Sequence, residues 1–252
     1  MIRRYLPSMA VVLLLFTSPA LFGWWLVEDY ALVDRYDHFT LALSSLVPLA
    51  FPLLTTLLYG LYFSQELSAG AWLPLQLRRG RRGYLLRHLG RAAALGFVVG
   101  AVMIVIVGVL TLWATPKFGW VTYFPDPGAR VPVERFTFAQ LLPLGDAAFL
   151  SSYAAWIGVH AALYGMLGVL ALVNVSNRLL ALALPAVGQF LIDFLLAVLG
   201  LERWGMIAAV FPFNLRQISL YVPLISTLVF ALAVAGLVVW TLSARRSPAG
   251  YQ

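Results

Sequence analysis

The sequence contains no cysteine, which excludes disulfides, iron–sulfur ligation and thiol nucleophiles and leaves no record of a redox compartment. Charge is nearly as scarce. Asp, Glu, Lys and Arg make up 11% of the 252 residues, while 62% are hydrophobic and mean hydropathy is +0.90. Soluble domains carry about 25% charged residues, so this composition excludes a soluble globule and a soluble enzyme. Also missing are Gly-x-x-x-x-Gly-Lys-Ser/Thr, His-Glu-x-x-His and Gly-x-Ser-x-Gly, the signatures of nucleotide-phosphate cradles, zinc peptidases and serine hydrolases. The three histidines, His38, His88 and His160, fall in an outer loop, an inner loop and an apolar run, too scattered for one metal site.

What is abundant is apolar length. Six runs stand out, approximately 5–27, 41–63, 91–114, 149–173, 179–199 and 221–242. Each supplies the roughly 20 residues that cross a hydrocarbon core about 30 Å thick. Inside lipid each must be helical, since no water is present to pair backbone groups. The expected fold is therefore all-α, a polytopic integral membrane protein with six transmembrane helices. Six spans and their connectors leave no room in these residues for an ATPase, receptor or catalytic domain. The first run has a signal peptide's outline, with Arg3 and Arg4 before it and Ser18-Pro19-Ala20 within it. It nevertheless continues through Trp24 and Trp25 to Val27, far enough to cross and end in an aromatic belt, and is read as a span.

The formal charge of +7 acquires meaning from its placement. With both termini cytoplasmic, eleven of the 17 basic residues lie on the inner connectors, among them Arg78, Arg79, Arg81, Arg82, Arg87 and Arg91. Six lie outside: Arg35, Lys117, Arg130, Arg135, Arg203 and Arg216. Acids distribute the other way, with Glu66 the lone inner acid and Asp193 inside a span. This is the positive-inside asymmetry of a membrane protein, and it makes nucleic acid an unnecessary partner. The outer connectors are 28–40, 115–148 and 200–220. The second is proline-rich and reads as an ordered loop with turns and a short surface helix. The third holds the short apolar piece Met206 to Phe213, broken by Pro212 and expected to form a re-entrant or interfacial hairpin.

Polar residues inside spans are few. Asp193 and Gln189 lie one helical turn apart on one face, where they either line a polar path or subunit seam or clamp two helices. His160 in the fourth run either relays protons or bonds a neighbouring helix. Small residues at Ala92, Gly96, Gly100 and Gly108, and at Ala154, Gly158 and Ala162, form faces for close helix packing. Pro48, Pro52, Pro185 and Pro223 are candidate bends.

The most informative stretch is the inner connector 64–90. Glu66 stands at the membrane exit, Gly70 follows four residues on, then the short amphipathic segment Ala71-Trp72-Leu73-Pro74-Leu75-Gln76-Leu77, then the arginine cluster including Arg82. Lipid anchoring accounts for the arginines but not for the apolar knob before them, which suits a docking surface for a soluble partner.

In this order of acid, glycine, short helix and basic cluster, the chain resembles the six-span permeases of ABC-2-type ATP-binding-cassette transporters. It departs from their pattern in having Gly70-Ala71 where Gly-Thr is frequent, and in lacking a proline before the arginine. The resemblance implies a permease that pairs with itself or a sister subunit, with separate ATPase subunits docking on Glu66, Gly70, Ala71, Trp72, Leu73, Leu75, Leu77 and Arg82. ATP and Mg would then be bound by those partners, with no cofactor or metal in this chain. Rearrangement of the first, second and fifth spans would open a path between protomers. It further implies a multi-pass protein of a bacterial cytoplasmic membrane, more in keeping with export than import. The alternatives are a membrane anchor or assembly protein without transport, and an intramembrane enzyme using Asp193 or His160.

Overall fold

The computed structural model describes residues 6–44, 47–69, 80–211 and 217–243, and every regular element among them is helical. In chain order these are α1 (Leu6–Leu26), α2 (Arg35–Leu43), α3 (Val47–Ser68), α4 (Arg81–Gly108), α5 (Asp146–Asn174), α6 (Arg178–Val198), α7 (Met206–Val210) and α8 (Tyr221–Ser243). From α4 the chain continues through a π-helical stretch, Val109–Ala114, and a last α turn, Thr115–Phe118. Among the described residues, five helical stretches are long and apolar enough to cross a membrane: Ala10–Asp29, Arg82–Phe118, Asp146–Asn174, Arg178–Val198 and Tyr221–Ser243. α3, 22 residues long, stands where the sequence puts the second span.

Helices α5, α6 and α8 coincide closely with the apolar runs that specify them. Two runs behave differently. The second, read as 41–63, is divided between α2 and α3, and Pro48 falls in the first turn of α3, where its missing N–H has no intrahelical acceptor to satisfy. Pro48 therefore starts a helix instead of bending one. The start of α2 is fixed by Asp34, whose Oδ1 accepts the backbone N–H of Tyr36 at 2.9 Å and of Asp37 at 3.1 Å. The third run, read as 91–114, is helical well beyond both ends. Hydropathy marks only the portion suited to hydrocarbon, whereas a helix accommodates Arg82, Arg87 and Arg91 wherever they reach water.

α5 is the axis of the bundle. Two-thirds of its apolar stretch (67%) is buried, against 24%, 22% and 28% for α1, α6 and α8. Those three helices turn large apolar side chains outward, including Leu13, Trp25, Phe190, Leu195, Leu228 and Leu232. Such surfaces are stable against hydrocarbon and not against water. The most extensive pairing is α4 with α5. The small residues read from the sequence meet here: a Cβ added at Gly96 would stand 2.5 Å from the Ala161 carbonyl oxygen, and one at Gly158 would stand 2.9 Å from the Phe97 carbonyl oxygen. Absence of side chains brings the two backbones together and maximises dispersion contact, the main attraction available between helices in lipid. Toward the outer end, Phe39, Phe51, Phe149, Tyr153 and Phe211 make an aromatic core, with Phe51 and Phe211 edge to face at 5.3 Å.

The connectors 28–40 and 115–148 are joined by charge. Arg135 forms ion pairs with Asp34 and, at 2.5 Å, with Asp37, while Arg35 meets Asp146 at 2.7 Å. The Tyr36 hydroxyl donates to Asp146 at 2.6 Å, and burial together with that carboxylate raises the Tyr36 pKa above its ordinary value. The 115–148 connector carries the helical turns Pro132–Arg135 and Ala139–Leu144. In the third outer connector the apolar piece forms the buried helix α7, and the continuation that contains Pro212 and Phe213 lies outside the described residues.

Candidate functional site

The C-terminal end of α3 and the start of α4 form a polar cluster. Tyr59, Phe63 and Glu66 fall at helical spacing on one face of α3, and Tyr84, His88 and Arg91 do so on α4, so packing these faces brings the groups together. The Tyr84 hydroxyl donates to Glu66 Oε1 at 3.2 Å, and His88 Nε2 lies 3.5 Å from the same oxygen. At that separation the His88–Glu66 contact is electrostatic more than a well-formed hydrogen bond. His88 Nδ1 is 2.8 Å from the Tyr59 hydroxyl. An imidazole nitrogen facing a carboxylate must carry the proton, so Nε2–H points to Glu66 and Nδ1 accepts from Tyr59. The ring of His88 is packed between Phe63 and Tyr84, with centroids at 4.7 and 4.4 Å. Only 3% of the His88 side chain and 14% of Glu66 are exposed.

Glu66 is thus engaged by Tyr84 and His88. The cluster lies at the root of the connector: α3 ends at Ser68, whose hydroxyl accepts from the guanidinium of Arg178 at the start of α6. Arg82 is exposed in the first turn of α4. Gly70, Ala71, Trp72, Leu73, Leu75 and Leu77 lie outside the described residues. Sequence reading missed Tyr59, Tyr84 and His88. Their signal was the shared i, i+4 spacing, hidden because the connector 64–90 was read with a short helix at 71–77 only, while α4 starts at Arg81.

Of the polar residues of the spans, Gln189 and Asp193 hydrogen-bond to one another, whereas His160 has other partners. Fully buried His160 donates through Nδ1 to the Trp156 carbonyl at 2.9 Å, since a carbonyl only accepts, and its Nε2 is 2.9 Å from the Thr227 hydroxyl on α8. This is the bond between neighbouring helices. Gln189 accepts from the Tyr164 hydroxyl, joining α6 to α5. Asp193 accepts the backbone N–H groups of Met206 at 2.5 Å and Ile207 at 3.1 Å, two donors that the first turn of α7 leaves unpaired. All three residues therefore make contacts within the bundle that join separate elements. Among the described residues, no group of three or more His, Asp or Glu side chains could hold a metal ion.

One cavity of about 280 Å³ opens on the flank of the bundle between α5, α6 and α8. Its walls include Leu167, Leu170, Ala171, Leu184, Gly188 and Phe230, the Tyr164–Gln189 pair lines it as well, and Ile192 and Met206 continue it beyond that pair. No family model matches this chain, and comparison with curated proteins and with solved structures finds no match.

Proposed function

We propose that the chain is the membrane permease subunit of an ATP-binding-cassette transporter, with six spans and both termini in the cytoplasm, driven by separate ATPase subunits that bind ATP and Mg. It acts beside a second permease subunit in a bacterial cytoplasmic membrane, and export is the expected direction. The observation that carries this reading is Glu66, the lone inner acid. Tyr84 and His88 hold it at the root of a connector that combines an apolar knob with an arginine cluster. An anchor without transport has no need for a partly buried acid locked between two helices at that point. The intramembrane-enzyme alternative loses weight because His160 and Asp193 bond to different partners.

Co-expression with a candidate ATP-binding-cassette ATPase subunit, followed by co-purification, tests the proposal. Glu66→Lys and Leu75→Asp should release the ATPase while the permease still inserts in the membrane. Undiminished co-purification of both variants would overturn docking at this connector.

A further inference from the structure

We infer that the cavity between the end of α1 and residues 120–124 is a binding site for an organic ammonium ion. Its volume of about 510 Å³ falls inside the range of roughly 300–1,000 Å³ found for small-ligand sites. Its walls carry the aromatic side chains of Trp24, Tyr30, Trp120 and Phe124 and the carboxylates of Glu28 and Asp29, with no Lys, Arg or His among the described lining residues. All four aromatics are more than half exposed, so a solute reaches them. Trp24 and Trp120 meet edge to face, with centroids at 6.1 Å and planes at 74°, which makes a corner and not a closed stack. Phe118 stacks on one face of Trp120 at 5.0 Å and fixes its orientation. The two sides of the cavity come from stretches far apart in the chain. The Phe124 N–H donates to the Leu32 carbonyl at 2.7 Å, which holds those stretches together before any ligand arrives.

This lining selects its occupant by charge and by surface. Aromatic rings are negative over their faces and attract a cation, and the carboxylates add to that attraction, so an anion is disfavoured by both. Among the described residues neither Glu28 nor Asp29 takes part in an ion pair, whereas Asp34, Asp37 and Asp146 on the same connectors are all paired. A metal ion needs several oxygen ligands in place of its water, and two carboxylates beside aromatic rings supply too few. An ammonium ion with carbon substituents needs no such shell and gains from ring faces. The cluster already holds one contact of this kind: Lys117 Nζ stands 6.0 Å from the centroid of Phe118, the ring stacked on Trp120. An aromatic belt at a membrane surface accounts for exposed tryptophans but not for two carboxylates in their midst. A second cavity, of about 90 Å³, shares the Trp24 and Trp120 walls and is lined also by His38 and Thr111. His38 is only 4% exposed, and its Nδ1 finds no hydrogen-bond partner among the described residues. Buried polar atoms left unpaired are rare, and a hydroxyl carried by the cation and reaching past the indoles would pair with this one.

The site shares no residue with the connector 64–90, so it stands or falls separately from ATPase docking. The test measures choline binding to the full chain in nanodiscs of phosphatidylglycerol, a lipid without an ammonium group, with empty nanodiscs as the blank. Choline should bind saturably and at least about fivefold more tightly than its neutral isostere, 3,3-dimethylbutan-1-ol. Trp24→Leu and Trp120→Leu should each weaken choline binding by about fivefold, and Trp120→Phe should retain most of it. Trp25→Leu, at an exposed position outside the cavity, should leave it unchanged. Glu28→Gln combined with Asp29→Asn should weaken it, most strongly at low salt. Tetramethylammonium, which lacks the hydroxyl, should bind less tightly than choline, and His38→Phe should remove that difference; equal binding of the two ions by the parent chain would overturn the part given to His38. Adding phosphatidylcholine to the nanodiscs separates two sources of the same group: a raised apparent Kd for choline shows that lipid headgroups reach the site, and an unchanged one assigns it to soluble ions. Equal binding of choline and its neutral isostere, no saturable binding above the blank, or insensitivity to both the Trp24 and Trp120 leucine variants when they elute like the parent in gel filtration would overturn the site.

Discussion

Asp193 on α6 closes the first turn of α7 by accepting the Met206 N–H at 2.5 Å, so a carboxylate from one helix serves as the N-terminal cap of another. Asn caps helices about as well as Asp, whereas Ala leaves the donors unpaired at a cost of about 0.5–2 kcal/mol. Asp193→Ala should therefore lower stability by that amount in detergent unfolding, and Asp193→Asn should stay close to the parent. Loss of transport in a fully stable Asp193→Asn variant would instead point to a polar path.

The His160–Thr227 bond is a clasp between α5 and α8. Hydrogen bonds between membrane helices contribute about 0.6 kcal/mol on average and at most about 1.7. Thr227→Val should cost an amount in that range, and His160→Ala more, because it also leaves a cavity. A double-mutant cycle in bicelles gives the coupling directly; zero coupling would remove the clasp.

His38 on α2 supplies a pH dependence. Burial lowers its pKa from 6.5 to about 4, so the folded protein holds it neutral while the unfolded chain protonates it below 6.5. Its contribution is fully present above pH 6.5 and is lost as pH falls from there toward 4, by about 1.4 kcal/mol per unit. The melting temperature should fall over that window, and His38→Phe should flatten the fall. An unchanged slope in the variant would assign the dependence to other groups.

Two glycines of α4 should respond oppositely to alanine. Gly96→Ala places a Cβ 2.5 Å from the Ala161 carbonyl oxygen and should cost about 1–3 kcal/mol through overpacking. At Gly90 a Cβ meets nothing within 4 Å, so alanine there should be neutral or stabilising by up to about 1 kcal/mol. Thermal unfolding of both variants in one detergent separates packing from backbone propensity.

What the residues announce in advance depends on whether the relevant contact is local. Gly96 and Gly158 were readable as packing positions because spacing by four puts small residues on one face whatever the partner. The partners themselves were not: Thr227 lies 67 residues from His160, and Asp193 meets backbone amides, which any sequence supplies. The Glu66 cluster stayed hidden for a further reason. Apolar runs report where hydrocarbon begins, and α4 starts before it, so Tyr84 and His88 looked like loop residues although they sit on a helix.

That early start also sets the mechanics of the inner face. The helical stretch Arg82–Phe118 is 37 residues long and spans about 55 Å, well beyond a hydrocarbon core of about 30 Å. The connector near Arg82 therefore joins directly onto a helix that continues through the whole apolar stretch. Tyr84 and His88 tie that helix to α3 near its base, and its far end stands beside the outer loops. On the proposed reading, the Glu66 cluster would be the point about which this long helix tilts when the connector is displaced, and the π-helical stretch Val109–Ala114 would be where it yields.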